Sequence, residues 1–600
     1  MCGIVGIVRA TEGSVAQDLL GCLHKLSYRG YDSAGLATND GYIVKSVGEV
    51  ANLISTVNEN RKFTVGISHV RWATHGEATR QNSHPHVSGN VSIVHNGIIA
   101  NYEELRDELE MNGYVFKTPV DSEVIAHFFN YHMDYGFDIH HTIRAFFQLV
   151  KGEFATIIMV KDIPELYVLR RGSPLFAGIG EDQVIVASDV FAFRHITTNV
   201  VPFDDDEYAI VDSSGIEFFD KDSNKLSKNV EHLTFSDENE AVNDAYEHFM
   251  LKEIEEQPRA VSRLIENSLL NPELKRMAMM FRNYKKIVFL GCGTSYHAGF
   301  FAQSILEKYL VPQGYQFYSV IASEFDSFNY VDGDTLIVAL SQSGETMDVI
   351  KAIKTAKSQG GKVISLVNVP HSTIWRMSSL SIDICAGTEI AVASTKAFTN
   401  QVITLLLIAK ERGVNIDADL TRIPELITQT IETNIRQVKA ISKMLANEEH
   451  LIVLGRGSCL PAAKEMALKI EEICYIFTKA LMSAELKHGP ISLITKEKVD
   501  IVKDGQIVRV EKRTPVISLI PSSDAMSSAT RHEVTARGAN FIAITDTETN
   551  ESSLVVPSKN EVEFGLGAVV LGQMLSYYTA LERGCNVDKP RNLAKSVTVI

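Results

Sequence analysis

Along residues 1 to about 235, apolar positions come in short β-branched runs broken by glycine turns, the pattern of many short strands. Cys2-Gly3-Ile4-Val5-Gly6-Ile7-Val8 reads as a buried strand at the very start. Ala34–Thr38 and the alternating stretch from Val65 read as two more. Val91–Val94 and Ile98-Ile99 flank an Asn96-Gly97 step, which reads as a strand, a tight turn and a second run. Asn101-Tyr102-Glu103-Glu104 starts a helix with a capping-box-like pattern. Asp121-Ser122-Glu123 leads into an apolar helix over Val124–Phe129, with Asp121 a candidate N-cap. Asp220–Glu240 is polar and charged, and the stretch from Val242 looks helical until Pro258. These features place a domain boundary near residue 240.

Beyond it the pattern changes to apolar strands alternating with helical stretches, and it repeats. Ile287–Leu290 entering Gly291-Cys292-Gly293-Thr294-Ser295 matches Leu451–Leu454 entering Gly455-Arg456-Gly457-Ser458. Thr335–Leu340 before Ser341-Gln342-Ser343-Gly344 matches Thr514–Leu519 before Ile520-Pro521-Ser522-Ser523, and Gly361–Leu366 matches Ala539–Ile544. Such alternation predicts two consecutive parallel-sheet domains, at about 285–425 and 450–590. The expected division is then 1–238, a linker and lead-in helix at 239–284, the two repeats, and a tail at 591–600.

Composition narrows the function class. With 45% apolar and 22% charged residues the chain of 600 is globular. A net charge of −16 argues against nucleic acid or an anionic membrane as partner. The seven cysteines are scattered without metal-ligand spacing, which predicts a reducing, cytoplasmic setting and no structural metal. The longest apolar runs, such as Val402–Ala409, fall far short of the roughly 18 residues of a membrane span.

Candidate chemistry clusters in a few segments. If Met1 is removed, Cys2 carries a thiol and a free α-amine on one carbon, and the amine can take the thiol proton. With Met1 in place that base is lost. Arg71 suits a carboxylate through two parallel hydrogen bonds, or else makes a surface ion pair. Trp72 suits a lid or the core, and Asn96 with Gly97 suits an oxyanion as well as a turn. In the second half Gly291-x-Gly293 lacks the third glycine of a dinucleotide fingerprint, so no nucleotide cofactor is expected. Ser341-Gln342-Ser343-Gly344-Glu345-Thr346, at the carboxyl end of a parallel strand, suits a phosphate, with Thr294 and Ser295 alongside; the alternative is a serine N-cap for a helix from Met347. The second repeat carries Asp524 at the equivalent place, where it would repel phosphate, so one sugar-phosphate site per chain is expected. On a helix running from Pro461 to about Tyr475, Glu465, Lys469 and Glu472 share one face, either as an exposed ion pair or as a polar stripe lining a cleft. His488 sits in a turn, either solvated or placed for proton transfer near neutral pH.

The segments Met1–Gly6, Tyr28–Gly35, His69–Gly76 and His95–Gly97 resemble the glutaminase domain of the class II, N-terminal-nucleophile amidotransferases. Ser341–Thr346, Gly387–Lys396, Glu485–Pro490 and Asp588–Val599 resemble sugar isomerase (SIS) domains, and the whole chain is similar to the isomerising glutamine–fructose-6-phosphate aminotransferase family. The resemblance implies an α/β chain: a four-layer αββα Ntn-hydrolase domain followed by two doubly wound SIS domains. It implies that Cys2 attacks glutamine, that Asn96 and Gly97 stabilise the oxyanion, and that Arg71, Trp72, Thr74, His84 and Asp121 hold the substrate. It further implies that Thr294, Ser295, Ser341, Gln342, Ser343, Thr346 and Ser394 bind fructose 6-phosphate. Lys595 would form a Schiff base, Glu472 would move a proton with support from Lys469, and His488 would serve the neighbouring subunit of a homodimer. No cofactor is implied. Ammonia would pass internally, with the Leu593–Ile600 tail sealing the sugar site. Two alternatives stay open at this level: a glutaminase fused to a sugar-phosphate sensor without catalysis, and amination of a different ketose phosphate.

Overall fold

The computed structural model describes residues 2–58, 62–72, 76–233, 246–328, 331–503, 506–547 and 553–597. The linker stretch 234–245, Thr74 and the last three residues lie outside them. The chain divides into two compact units whose bodies are Met1–Asp237 and Glu238–Lys595.

In the first unit an eight-stranded and a seven-stranded antiparallel sheet are each built from short strands. Alternation decides which residue faces which layer. In strand Gly3–Gly13, Val5 and Ile7 join a core with helices Val15–Lys25 and Val50–Ile54, while Ile4 and Val8 join a core shared with the other sheet. In strand Gly152–Val160, Ala155, Ile157 and Met159 point into that shared core. Phe154 and Ile158 point to the helices Tyr102–Met111, Glu123–Asp134 and Ile139–Leu149. The layers are therefore helix, sheet, sheet, helix.

Three local expectations are corrected here. Asn96-Gly97 makes no turn: Val91–Ile99 is one strand paired with Gly152–Val160 from end to end. Gly97 is needed for close approach, because it has φ +133° and a Cβ there would lie 2.0 Å from the Glu153 carbonyl. Ser122, not Asp121, stands at the N-cap of Glu123–Asp134. Asn101 makes no cap bond; its side chain instead bridges Leu149 O and Lys151 N.

The second unit opens with helices Phe249–Glu255, Gln257–Leu270 and Pro272–Asn283. Pro258 lies in the first turn of its helix, where a missing N–H costs nothing, rather than at the end of the preceding one. Two five-stranded parallel sheets follow, each with chain order 2-1-3-4-5. The first runs Gln316–Ile321, Lys286–Gly291, Thr335–Ser341, Lys362–Val367, Ser381–Asp383. The second runs Phe477–Met482, His450–Gly455, Pro515–Leu519, Asn540–Thr545, Ser553–Val555. The pattern reading found the three inner strands of each copy but not the antiparallel hairpin Lys496–Lys503 with Gln506–Arg513 in the second.

One apolar core runs through both copies. Its centre is Glu561–Glu582, a helix long and apolar enough to cross a membrane, yet with 89% of its apolar window buried inside the protein. Glycines let it pack closely: a Cβ at Gly565 would meet Phe301 at 2.4 Å and one at Gly567 would meet Val556 at 2.3 Å.

Candidate active sites

In the first unit the strand after Cys2 pairs with Phe63–Arg71, Gly3 opposite Val70. That pairing brings Cys2 beside the residue following the partner strand. The Trp72 N–H donates to the Cys2 sulfur at 3.3 Å, and the Cys2 thiol donates to the Trp72 carbonyl at 3.5 Å. Burial pushes the thiol above its usual range, against the pull of the Trp72 N–H and the Arg71 guanidinium. Arg71 is 3% exposed, not a surface residue, and donates to the Glu77 and Gly76 carbonyls at 3.2 and 3.3 Å. Burial lowers its pKa while Cys2, Asp32 and Asp121 oppose the fall, so Arg71 and Asp121 lie within electrostatic reach of the thiol. Asp121 is buried and accepts the Ile99 N–H at 2.9 Å, two residues beyond Gly97. Asn96 is buried, and its Oδ1 has no hydrogen-bond partner among the described residues. Trp72 packs edge-on against Tyr31 with ring centres 5.8 Å apart. His84 is packed between His69, at 4.0 Å, and His86, at 4.5 Å. Burial holds both His84 and His69 well below the usual imidazole range, so both are neutral. The His69 ring bonds the His95 carbonyl at 3.0 Å, tying the two sheets together next to Asn96.

In the second unit the turn after Thr335–Ser341 folds on itself. Gly344 N donates to Ser341 Oγ at 3.0 Å, Glu345 N donates to Ser343 Oγ at 3.1 Å, and the Ser341 and Thr346 hydroxyls lie 3.1 Å apart. Thr346, without a side-chain cap bond, precedes helix Met347–Ser358, so Ser341 is not its N-cap. Gln342 and Ser343 are half-buried at the same turn. This turn and Gly291–Ser295 close the two adjacent strands at which the chain order reverses, where α/β sheets take ligands. Ser295 accepts from Gln401 at 3.0 Å, and Thr294 donates to Glu465 at 3.0 Å.

A chain of buried charges extends from there. Glu465 and Lys469, at most 1% exposed, lie on helix Cys459–Cys474. Lys469 Nζ hydrogen-bonds Glu472 and sits 3.6 Å from Glu465, whose other oxygen pairs with His297 at 2.7 Å. Burial would lower the Lys469 pKa, but the Glu472 and Glu465 carboxylates raise it above the usual range and keep it an ammonium. Glu465 and Lys469 of the stripe are therefore buried and Glu472 is half-buried, so the three are not a solvated surface pair. Lys595 Nζ donates to Glu389 Oε2 at 2.6 Å and to the Ala391 carbonyl at 2.8 Å. Glu389 also accepts from Ser394 Oγ at 2.8 Å, Thr395 N at 2.8 Å and Ala397 N at 3.2 Å. Burial opposes its ionisation, yet Lys595 and these donors hold it at about 2. His488 is exposed on a short turn, and among the described residues it has no hydrogen bond to Glu472, Lys595 or the serine turn.

A glutamine amidotransferase domain model matches residues 69–195, and a SIS domain model matches 280–410 and 444–555. The chain is 38% identical to glutamine–fructose-6-phosphate aminotransferase (isomerizing) of Francisella tularensis and also to that of Clostridium acetobutylicum, covering 100% of both chains in each case. It is 36% identical, with the same coverage, to that of Clostridium tetani. The chain belongs to this aminotransferase family. A solved C-terminal domain of the Francisella tularensis enzyme, 33% identical, overlays 58% of this chain and 100% of its own with a TM-score of 0.50.

For a member of this aminotransferase family, the informative surprises are Glu389, Gln401 and His297, none of which the sequence pattern placed in a site, whereas Glu465 stood in the stripe that could line a cleft. Glu465 carried a signal, sharing a helical face with Lys469 and Glu472. Glu389 carried none, because its four donors come from residues brought round by the Glu389–Ala397 loop and by the tail.

Proposed function

We propose that this chain converts D-fructose 6-phosphate and L-glutamine to D-glucosamine 6-phosphate and L-glutamate, by two half-reactions. In the first unit Cys2, freed of Met1, attacks the glutamine amide. Asn96 and the Gly97 N–H stabilise the oxyanion. Arg71 takes the substrate carboxylate and Asp121 its amine, with Trp72 and His84 alongside; Thr74, outside the described residues, is assigned to glutamine binding by the family resemblance alone. In the second unit Ser341, Gln342, Ser343 and Thr346 hold the phosphate, while Thr294, Ser295 and Ser394 face the sugar. Lys595 forms an imine with the open-chain ketose, Glu472 moves a proton between C1 and C2, and the Lys469 ammonium stabilises the charge that develops. Their chemistry needs only a base and an imine.

The observation that carries this reading is the Lys595 clamp. A buried ammonium held by Glu389 and the Ala391 carbonyl, with Ser394 on the same carboxylate, is an amine kept ready beside hydroxyls. Exposed His488 fits a role in the sugar site of a second subunit, and on that basis we propose a homodimer; the free, scattered cysteines support a cytoplasmic setting. The domain limits 1–238, 285–425 and 450–590, and the 591–600 tail as a seal for internally passed ammonia, belong to the same proposal. Product analysis with glutamine and fructose 6-phosphate tests it. Wild type should yield glucosamine 6-phosphate and glutamate. Cys2→Ala should lose glutamine-dependent amination and keep sugar isomerisation; amination surviving in Cys2→Ala refutes the division.

A further inference from the structure

Glu253 lies on helix Phe249–Glu255 and is 2% exposed. Its Oε1 accepts the N–H groups of Ile390 and, at 3.1 Å, Ala391. The Ala391 carbonyl is one of the two acceptors of Lys595, and the other, Glu389, is the residue before Ile390. Two consecutive peptide units thus separate Glu253 from both halves of the Lys595 clamp. The same helix grips the loop a second way. Asp588 accepts Phe249 N at 3.0 Å and Met250 N at 2.8 Å, and its own carbonyl accepts Val392 N at 2.9 Å.

The second oxygen of Glu253 is buried and has no hydrogen-bond partner among the described residues. This is the opposite of Glu389, every lone-pair direction of which is answered by a donor. An ionised carboxylate with one bare buried oxygen is costly, and a carboxylic acid is far less so. The charged groups around Glu253 are Lys595, Glu389 and Lys396; Lys396 is paired with Glu256 at 2.7 Å, and Glu256 is 3.7 Å from Lys252 on the helix itself. Burial, with the Glu389 charge added, pushes Glu253 up to about 8 despite the two lysines.

We infer that Glu253 is a positioning residue for the imine step, its carboxyl holding the 389–391 loop around Lys595 and its protonation keeping a second negative charge away from that lysine. This rests on Lys595 being the imine-forming residue. To attack C2, the Lys595 ammonium must first release a proton. Its Nζ lone pair then forms the C–N bond while the C2=O π pair moves to oxygen; that oxygen takes up the released proton and a second proton from the nitrogen, the C–O bond breaks, and water leaves a protonated imine. Glu389, saturated with donors, is a poor acceptor for that proton. A negative charge on Glu253 beside the same ammonium would hold the proton more tightly and slow the step. Glu253 therefore has to be neutral for Lys595 to act.

The test uses the full chain with fructose 6-phosphate and cyanoborohydride, following the reduced Lys595 adduct by mass spectrometry across a pH series. Each variant is expressed as a ratio to wild type at the same pH, which cancels the pH dependence of the reductant. E253Q keeps the acceptor oxygen and cannot ionise. Its ratio should be near one at about pH 7 and rise to about tenfold by about pH 9.5, because only wild type loses its neutral form. E253A frees the loop and should fall at least about tenfold at neutral pH, with E253Q restoring the rate. A flat E253Q ratio, or E253A trapping as fast as wild type, overturns the inference while leaving Lys595 in place. No wild-type adduct on Lys595 overturns both.

Discussion

The two parallel sheets of the second unit share a strand order and a glycine turn after the first strand, but they answer an anion differently. In the first copy the turn after the third strand is lined by hydroxyls: those of Ser341 and Thr346 lie 3.1 Å apart, and Ser341 and Ser343 accept the Gly344 and Glu345 amides. In the second, carboxylates already occupy the comparable donors. Asp524 takes Met526 N, Ser527 N and the Ser527 hydroxyl, Asp546 takes Ser522 N and its hydroxyl, and Arg456 is spent on Asp524. The second copy contributes something else: helix Cys459–Cys474, whose Glu465 reaches Thr294 and His297 of the first copy. Both copies keep the fold, while the two loops and one helix face differ; we propose that they serve as a phosphate cradle and an acid–base stripe.

The comparison can be broken most severely at Lys595. Lys595→Met should lower synthase turnover by on the order of a thousandfold or more while glutamine hydrolysis survives, as assays of both products would show. Next, Ser343→Asp would give the first turn the charge that the second already carries. It should raise KM for fructose 6-phosphate by about a hundredfold through like-charge repulsion, whereas Ser523→Asp should change it by less than about twofold. Thr346→Val, removing one hydroxyl from the cradle, should raise KM by about tenfold with kcat little changed. The smallest effect is on acid stability. Glu389 is held at about 2, below its unfolded value, so its contribution is present above about pH 4.5 and is lost as pH falls toward 2. Glu389→Gln should flatten that limb, read as a melting point that depends less on pH, by a few degrees, across this window.

Much of this was legible without coordinates. Alternation located the strands, the internal repeat located two parallel sheets, and the hydroxyl-rich turn stood where such sheets bind anions. The failures share a physical cause. Asn96-Gly97 has the composition of a hairpin turn, but its pairing with Ala155 and Phe154 holds it in a strand, and only a sheet partner far along the chain makes that preference lose. Pro258 reads as a helix end, but it lies in the first turn of Gln257–Leu270. Glu561–Glu582 has no polar face because it is covered on every side, so periodicity carries no signal. Glu389 and Glu253 are acidic residues in unremarkable local contexts, and their meaning lies in who donates to them.

The claim that one chain builds one sugar-phosphate site, cradle from the first copy and acid–base stripe from the second, is tested most directly by the stoichiometry of fructose 6-phosphate binding measured calorimetrically on the full chain. The account predicts one molecule per chain, with binding lost in Ser343→Asp and retained in Ser523→Asp. Two molecules per chain, or binding that survives Ser343→Asp and fails in Ser523→Asp, would contradict it.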